Sequence, residues 1–206
     1  MLSCSNSGTN APDMKAQVSM TRREELIALL KDPAEEVREA AARAIERIEG
    51  AGSFAEVIEQ LKKGNRGAKI RAIYALGRIG GERVLTPLMY CAMRPEEDIR
   101  IAAIDVLGTL ATPQAFPLLA ECLREPSAAV QAKAIEALGR YRTTEAIRLI
   151  LPFLDARDGF LDAEAARAVG NIGSADHEGK LLALLSSPHP ATRAAAAEAL
   201  GTLPFE

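Results

Sequence analysis

The sequence predicts an all-α solenoid, a right-handed α-α superhelix of six helical hairpins with 31 residues each. Three observations lead there. Gly77, Gly108, Gly139, Gly170 and Gly201 recur every 31 residues, and five residues before each stands Ala72, Ala103, Ala134, Ala165 or Ala196. Repetition at such a period marks units that borrow their core from their neighbours. Aromatic residues make up 4% of the chain and Trp is absent, while 48% is apolar, so the core must be built from Ala, Leu, Ile and Val. No segment alternates apolar and polar residues over a strand's length, so no sheet is expected.

Residues 1–19 form a Ser-, Asn-, Gly- and Thr-rich leader, read as a flexible arm, with Met14 and Met20 as alternative starts. A single domain over 20–206 follows, made of windows 20–50, 51–81, 82–112, 113–143, 144–174 and 175–205. Each window reads as a shorter helix A, a tight loop and a helix B. Helix A carries Leu26, Val57, Leu88, Leu119, Ile150 and Leu181 in one column. Four residues later, on the same helix face, come Leu30, Leu61, Ala92, Leu123, Leu154 and Leu185. The loop column is Pro33, Gly64, Pro95, Pro126, Arg157 and Pro188. Proline there ends helix A and can start helix B. Helix B buries the alanine column, which begins at Ala41, with Ile45, Leu76, Leu107, Leu138, Val169 and Leu200. A mid-helix glycine costs roughly 1 kcal/mol relative to alanine, so five in register imply a packing demand.

The two ends are expected to act as caps. The first window opens on a capping-box pattern, Thr21 and Glu24, and is charged through Arg22, Arg23, Glu35, Glu36 and Arg38. Glu46 replaces its glycine, as expected if that glycine accommodates a preceding repeat. The last helix, Thr192 to Leu200, is alanine-rich, a weaker cap that leaves room for end-to-end self-association.

Particular runs carry a family resemblance. Val37-Arg38 followed by Ala41, Ala42 and Ile45, and Ile99-Arg100 followed by Ala103, Ile104 and Leu107-Gly108, resemble the phycobilisome (PBS) lyase type of HEAT-like repeat. Ala75-Leu76-Gly77-Arg78-Ile79-Gly80 and Ala168-Val169-Gly170-Asn171-Ile172-Gly173 match the end of that pattern. The resemblance implies an armadillo/HEAT-type fold. Gln131 and Asp162 depart from it where the pattern has Arg, so an arginine ladder would be interrupted. An ankyrin reading fails because Thr86-Pro87-Leu88 occurs once, and tetratricopeptide repeats need 34 residues and fixed aromatics.

Catalytic chemistry finds only decoys. His177-Glu178 is similar to the His-Glu pairs of HEAT-repeat deoxyhypusine hydroxylases, but one pair and His189 are too few for a diiron site. Gly173 to Lys180 imitates a phosphate loop with one residue too many and Leu181 where Ser or Thr should follow. Cys4, Cys91 and Cys122 have no metal or redox spacing; Cys91 and Cys122 lie at equivalent positions on neighbouring helices, generally too far apart for a disulfide. No metal or cofactor is expected. A net charge of -3 gives no general attraction to nucleic acid or an anionic membrane, and no apolar run spans a bilayer. A reduced, cytoplasmic protein is the simplest reading.

The remaining candidate is a surface. With the glycine column as zero, positions −7, −6, −3 and +1 of helix B point away from the Ala/Leu side, and in solenoids of this kind they line the concave face. They read Ile70, Arg71, Tyr74 and Arg78, then Ile101 and Asp105, then Lys133, Glu136 and Arg140, then Glu164 and Arg167, with Arg43 and Arg47 before them. Arg, Tyr and exposed Ile are types that anchor protein interfaces. Ile70 and Ile101 read equally well as packing against adjacent B helices, whereas Tyr74 with Arg71 and Arg78 favours an interface. Phe160 reads as a loop-closing core residue, or else a second anchor. The expected function is a non-enzymatic scaffold that binds a partner protein on this row. The alternative implied by the resemblance is a bilin-lyase-like subunit. Weak nucleic-acid binding through Arg43, Arg47, Arg71, Arg78 and Arg140 ranks third, because Asp105, Glu136 and Glu164 interrupt a phosphate track.

Overall fold

The computed structural model describes residues 22–203, without the side chains of 46, 47 and 49–52. The leader, Cys4, the Thr21 cap and the side chains of Glu46 and Arg47 therefore lie outside the described residues. The fold is helical, with no strand among the described residues, and forms an α-solenoid. The described residues fall into two compact units that divide between Glu56 and Val57.

In the first unit, α1 spans 22–29 and α2 begins at Glu35. Asp32 Oδ1 accepts from Ala34 N, and Arg38 Nη1 donates to the carbonyls of Asp32 and Pro33, at 2.8 and 2.9 Å. Ala41 is buried as expected, while Ile27, Leu29 and Leu30 are exposed.

One junction departs from the sequence reading. Helix α2 runs unbroken over Glu35–Lys63, where the repeat calls for a B helix, a turn and an A helix. Elsewhere a hydroxyl cap or a left-handed residue breaks the chain at this phase: Gly80 (φ 65°), Ala111 (φ 45°), and Arg142 (φ 52°) followed by the Thr143 cap. At the first junction Glu49 stands at the phase of the left-handed Gly80 and Gly50 at the phase of the Thr143 cap, and the helix continues through Gly50-Ala51-Gly52.

The second unit contains α3 (Arg66–Ile79), α4 (Leu85–Ala92), α5 (Glu97–Leu110), α6 (Phe116–Cys122), α7 (Ala128–Gly139), α8 (Thr144–Ile150), α9 (Leu161–Ile172), α10 (Glu178–Leu184) and α11 (Pro190–Thr202). The B helices α3, α5, α7, α9 and α11 pack each on the next, and α4, α6, α8 and α10 pack against the B helices that follow them. Side-chain caps set the starts: Asn65 accepts from Ala68 N, Ser127 from Val130 N and Thr143 from Ala146 N. Leu76, Leu107, Leu138 and Val169 are fully buried with the alanine column, and Leu88, Leu119, Ile150 and Leu181 line the other side of the core.

The glycine column packs in the direction opposite to the expected one. A Cβ on Gly77 would lie 2.8 Å from Val106 Cγ1, on Gly108 2.5 Å from Ala137 Cβ, and on Gly170 2.6 Å from Ala199 Cα. Each contact is with the following B helix. Gly201, on the last B helix, meets nothing. The glycine thus admits the next repeat, and the explanation of Glu46 by a missing preceding repeat does not hold.

The arginine column holds loops rather than forming a surface. Arg100 Nη1 donates to the carbonyls of Arg94 and Pro95, and Arg193 Nη1 to those of Ser187 and Pro188, as Arg38 does in the first unit. Gln131 Nε2 substitutes through the Leu123 carbonyl. The fifth repeat has Asp162 instead. Its A helix tightens into a 3-10 stretch, Leu151–Asp155, and its loop uses positive φ at Arg157 and Gly159. Helix α9 starts two residues later than the period calls for, and Phe160, expected in the core, is 46% exposed.

Cys91 and Cys122 are buried free thiols, as the spacing implied. Burial, with Glu125 and Glu121 nearby, pushes Cys122 from 9.0 up to about 11. The raised folded-state value means this thiol contributes its stability below about pH 9 and loses it as pH rises toward 11.

The glycine contacts set a direct expectation. Gly108→Ala and Gly170→Ala should each destabilise by about 1–3 kcal/mol through overpacking. Gly201→Ala should leave the melting temperature unchanged or raise it. Thermal denaturation of the three variants checks this, and equal losses at all three positions would refute the assignment.

Candidate functional site

The predicted row divides into two kinds of surface. On α3, Arg71, Tyr74 and Arg78 are exposed, Tyr74 at 41%, and their side chains form no hydrogen bond or ion pair among the described residues. Ile70, on the same helix, is half-buried. The trio follows from helical spacing, since residues three and four apart share a face.

On α5 and α7 the row is tied to itself. Arg140 Nη2 reaches Asp105 Oδ1 at 3.2 Å and Glu136 Oε1 at 2.5 Å, while its Nη1 donates to the Asp105 carbonyl and to Thr109 Oγ1. Lys133 Nζ lies 2.6 Å from Glu136 Oε2 and 3.9 Å from Asp105 Oδ1. Burial pulls the Lys133 ammonium down, but Glu136 and Asp105 more than offset it, so the net shift is upward. Ile101 is half-buried beside this network. On α9, Arg167 is paired with Glu164 at 2.5 Å.

Physical spacing explains the division. Asp105 and Arg140 stand 35 residues apart, one repeat plus one helical turn, and the close approach of α5 and α7 brings them together. One period earlier the same two positions hold Tyr74 and Thr109, so no acid–arginine pair can form there. Arg43, in the first unit, is paired with Glu39 on its own helix at 3.1 Å, and the Arg47 side chain is outside the described residues.

The decoys acquire structural roles. His177 Nδ1 accepts from Ser174 N at 3.1 Å and closes a capping box at the start of a short 3-10 turn. Among the described residues no group of three or more His, Cys, Asp or Glu side chains could hold a metal ion. No helix among them is long and apolar enough to cross a membrane.

The model of HEAT repeats matches residues 23–94, 91–161 and 150–204, which together cover nearly all of the described chain. The chain belongs to the HEAT-repeat family. None of the curated proteins compared with it matches. Among solved structures, the YibA protein of Escherichia coli is similar over 96% of this chain and 77% of its own, with 19% identity and a TM-score of 0.58. An engineered protein shares 22% identity over 88% of this chain and 96% of its own, at a TM-score of 0.50. A designed armadillo repeat protein shares 19% over 87% and 99%, also at 0.50. At these identities the likenesses show the fold.

For this HEAT-repeat protein, sequence reasoning missed the pairing within the row, although an acid and an arginine one repeat plus four residues apart were visible. Asp162 is visible in the sequence as a departure from the pattern, and the cavity it lines is visible only in the structure.

The division has a measurable consequence. Arg140→Ala should lower stability by about 1 kcal/mol, the scale of a partly exposed ion-pair network. Arg71→Ala and Arg78→Ala should stay within about 0.5 kcal/mol of the parent. Urea denaturation distinguishes them, and comparable losses at Arg71 or Arg78 would show that these side chains have structural partners.

Proposed function

We propose that the chain is a non-enzymatic scaffold that docks a partner protein on the helix-B face, within one repeat domain over 20–206. HEAT and armadillo repeat proteins commonly serve protein interaction, which supports the general reading. The observation that carries the site is the free trio on α3. Arg71, Tyr74 and Arg78 are exposed and unpaired, whereas Lys133, Glu136, Arg140 and Asp105 satisfy one another. Unpaired Arg and Tyr side chains can be desolvated by a partner without first breaking internal bonds, and they belong to the types that dominate interface energetics. The anchors of the proposal are therefore Tyr74, Arg71 and Arg78, with Ile70 contributing apolar area. Asp105, Lys133, Glu136, Arg140 and Arg167 form the polar surround.

Charge reversal tests the assignment. Arg71→Glu/Arg78→Glu should abolish capture of a partner that the wild type retains from lysate of the source organism, with an unchanged melting temperature. A partner captured equally by the folded double variant would remove the site from α3.

A further inference from the structure

Beside the interrupted arginine column, the second unit holds a cavity. It has a volume of about 460 Å³ and is lined by Leu154, Asp155, Arg157 and Asp162 of the fifth repeat, and by Lys180 with Ser186 and Ser187 of the sixth. That volume falls within the range of small-ligand sites, roughly 300–1,000 Å³. In the third and sixth repeats the same column supplies a guanidinium to the A–B loop, through Arg100 and Arg193, and in the fourth Gln131 supplies an amide N–H. Asp162 has no N–H to offer.

Its carboxylate is deeply placed, with 1% of the residue exposed. Asp162 Oδ1 accepts from Thr192 Oγ1 at 2.9 Å, and Thr192 is itself fully buried. No cation lies within ion-pairing distance of Asp162 among the described residues. A buried carboxylate with a single hydroxyl donor keeps most of its acceptor capacity unused, and burial without a charged partner is costly. Its place in the first turn of α9 compensates only in part. The cations lining the cavity, Arg157 and Lys180, are solvent-exposed. Water screens them more strongly than it screens a group on the floor.

We propose that this cavity binds a guanidinium group, held on the Asp162 carboxylate in the place that the arginine of the column takes in other repeats. A planar guanidinium matches a carboxylate through paired N–H donors, which a compact ammonium cannot do. Ser186 and Ser187 add acceptors at the wall, and Asp155 adds a second carboxylate. Arg157 and Lys180 disfavour a polycation and suit a ligand whose outer end is neutral or anionic. The group can come from a small metabolite-sized compound or from an arginine of a peptide; the recognition chemistry is the same. This site is independent of the α3 surface.

Calorimetric titration of the full chain with 4-guanidinobutyrate tests it. Binding of one ligand per chain with Kd of about 1 mM or tighter is expected. Asp162→Asn, which keeps the shape, should weaken binding at least about tenfold. Asp162→Arg, which supplies the column's own guanidinium, should abolish it. Butyrate, which lacks the guanidinium, should not bind. A parallel titration with acetyl-arginine amide distinguishes the sources: tighter binding of the amide assigns a peptide arginine, tighter binding of 4-guanidinobutyrate a free compound. No binding to the wild type at about 10 mM, equal binding of butyrate, or wild-type affinity in either Asp162 variant overturns the proposal.

Discussion

The second unit depends on how closely one B helix can approach the next. At Gly77, Gly108 and Gly170 a methyl group would collide with Val106, Ala137 or Ala199, two residues before the glycine position of the following repeat. These contacts define a direction: each repeat makes room for its successor. Backbone proximity then converts a linear repeat into a continuous core, because Leu76, Leu107, Leu138 and Val169 can be covered from both sides. Glycine weakens a helix by roughly 1 kcal/mol in isolation, so the close contacts and the core they permit must supply more than that.

The same proximity decides which surface charges are free. Where α5 meets α7, Asp105 lies within reach of Arg140 and Lys133, and Glu136 closes the set. Such a network holds its own members and offers a partner little that is unsatisfied. On α3 the corresponding residue is Tyr74, and Arg71 and Arg78 pair with no acid among the described residues. The functional reading therefore follows from the difference between two junctions that share one backbone geometry.

The periodic part of this architecture was legible in the sequence because it rests on residue size at fixed intervals. The alanine column and the apolar columns of the middle repeats are buried where the 31-residue spacing placed them. What escaped was directional or local. A column of glycines reveals a close approach but not which neighbour approaches, so the sequence alone gives no direction to the replacement at Glu46. The unbroken α2 runs through two glycines, Gly50 and Gly52, which in the sequence read as a break. The fifth loop escaped for a related reason. In the repeat where Asp162 stands in place of a loop-holding arginine, the loop differs, α9 starts late and Phe160 is turned outward, a link that appears only once the arginines' acceptors are known. In the surface row, single-helix geometry identified the exposed positions, but pairing across helices required the spacing between them.

The direction of stacking can be read from proton–proton proximities in solution. Nuclear Overhauser spectra of methyl-labelled protein should show strong contacts from the Gly108 Hα protons to the Ala137 methyl and from Gly170 Hα to the Ala199 methyl. Gly201 Hα should show no contact with a methyl of another helix. Absence of the first two contacts, or contacts from these glycines to the preceding B helix instead, would contradict the account.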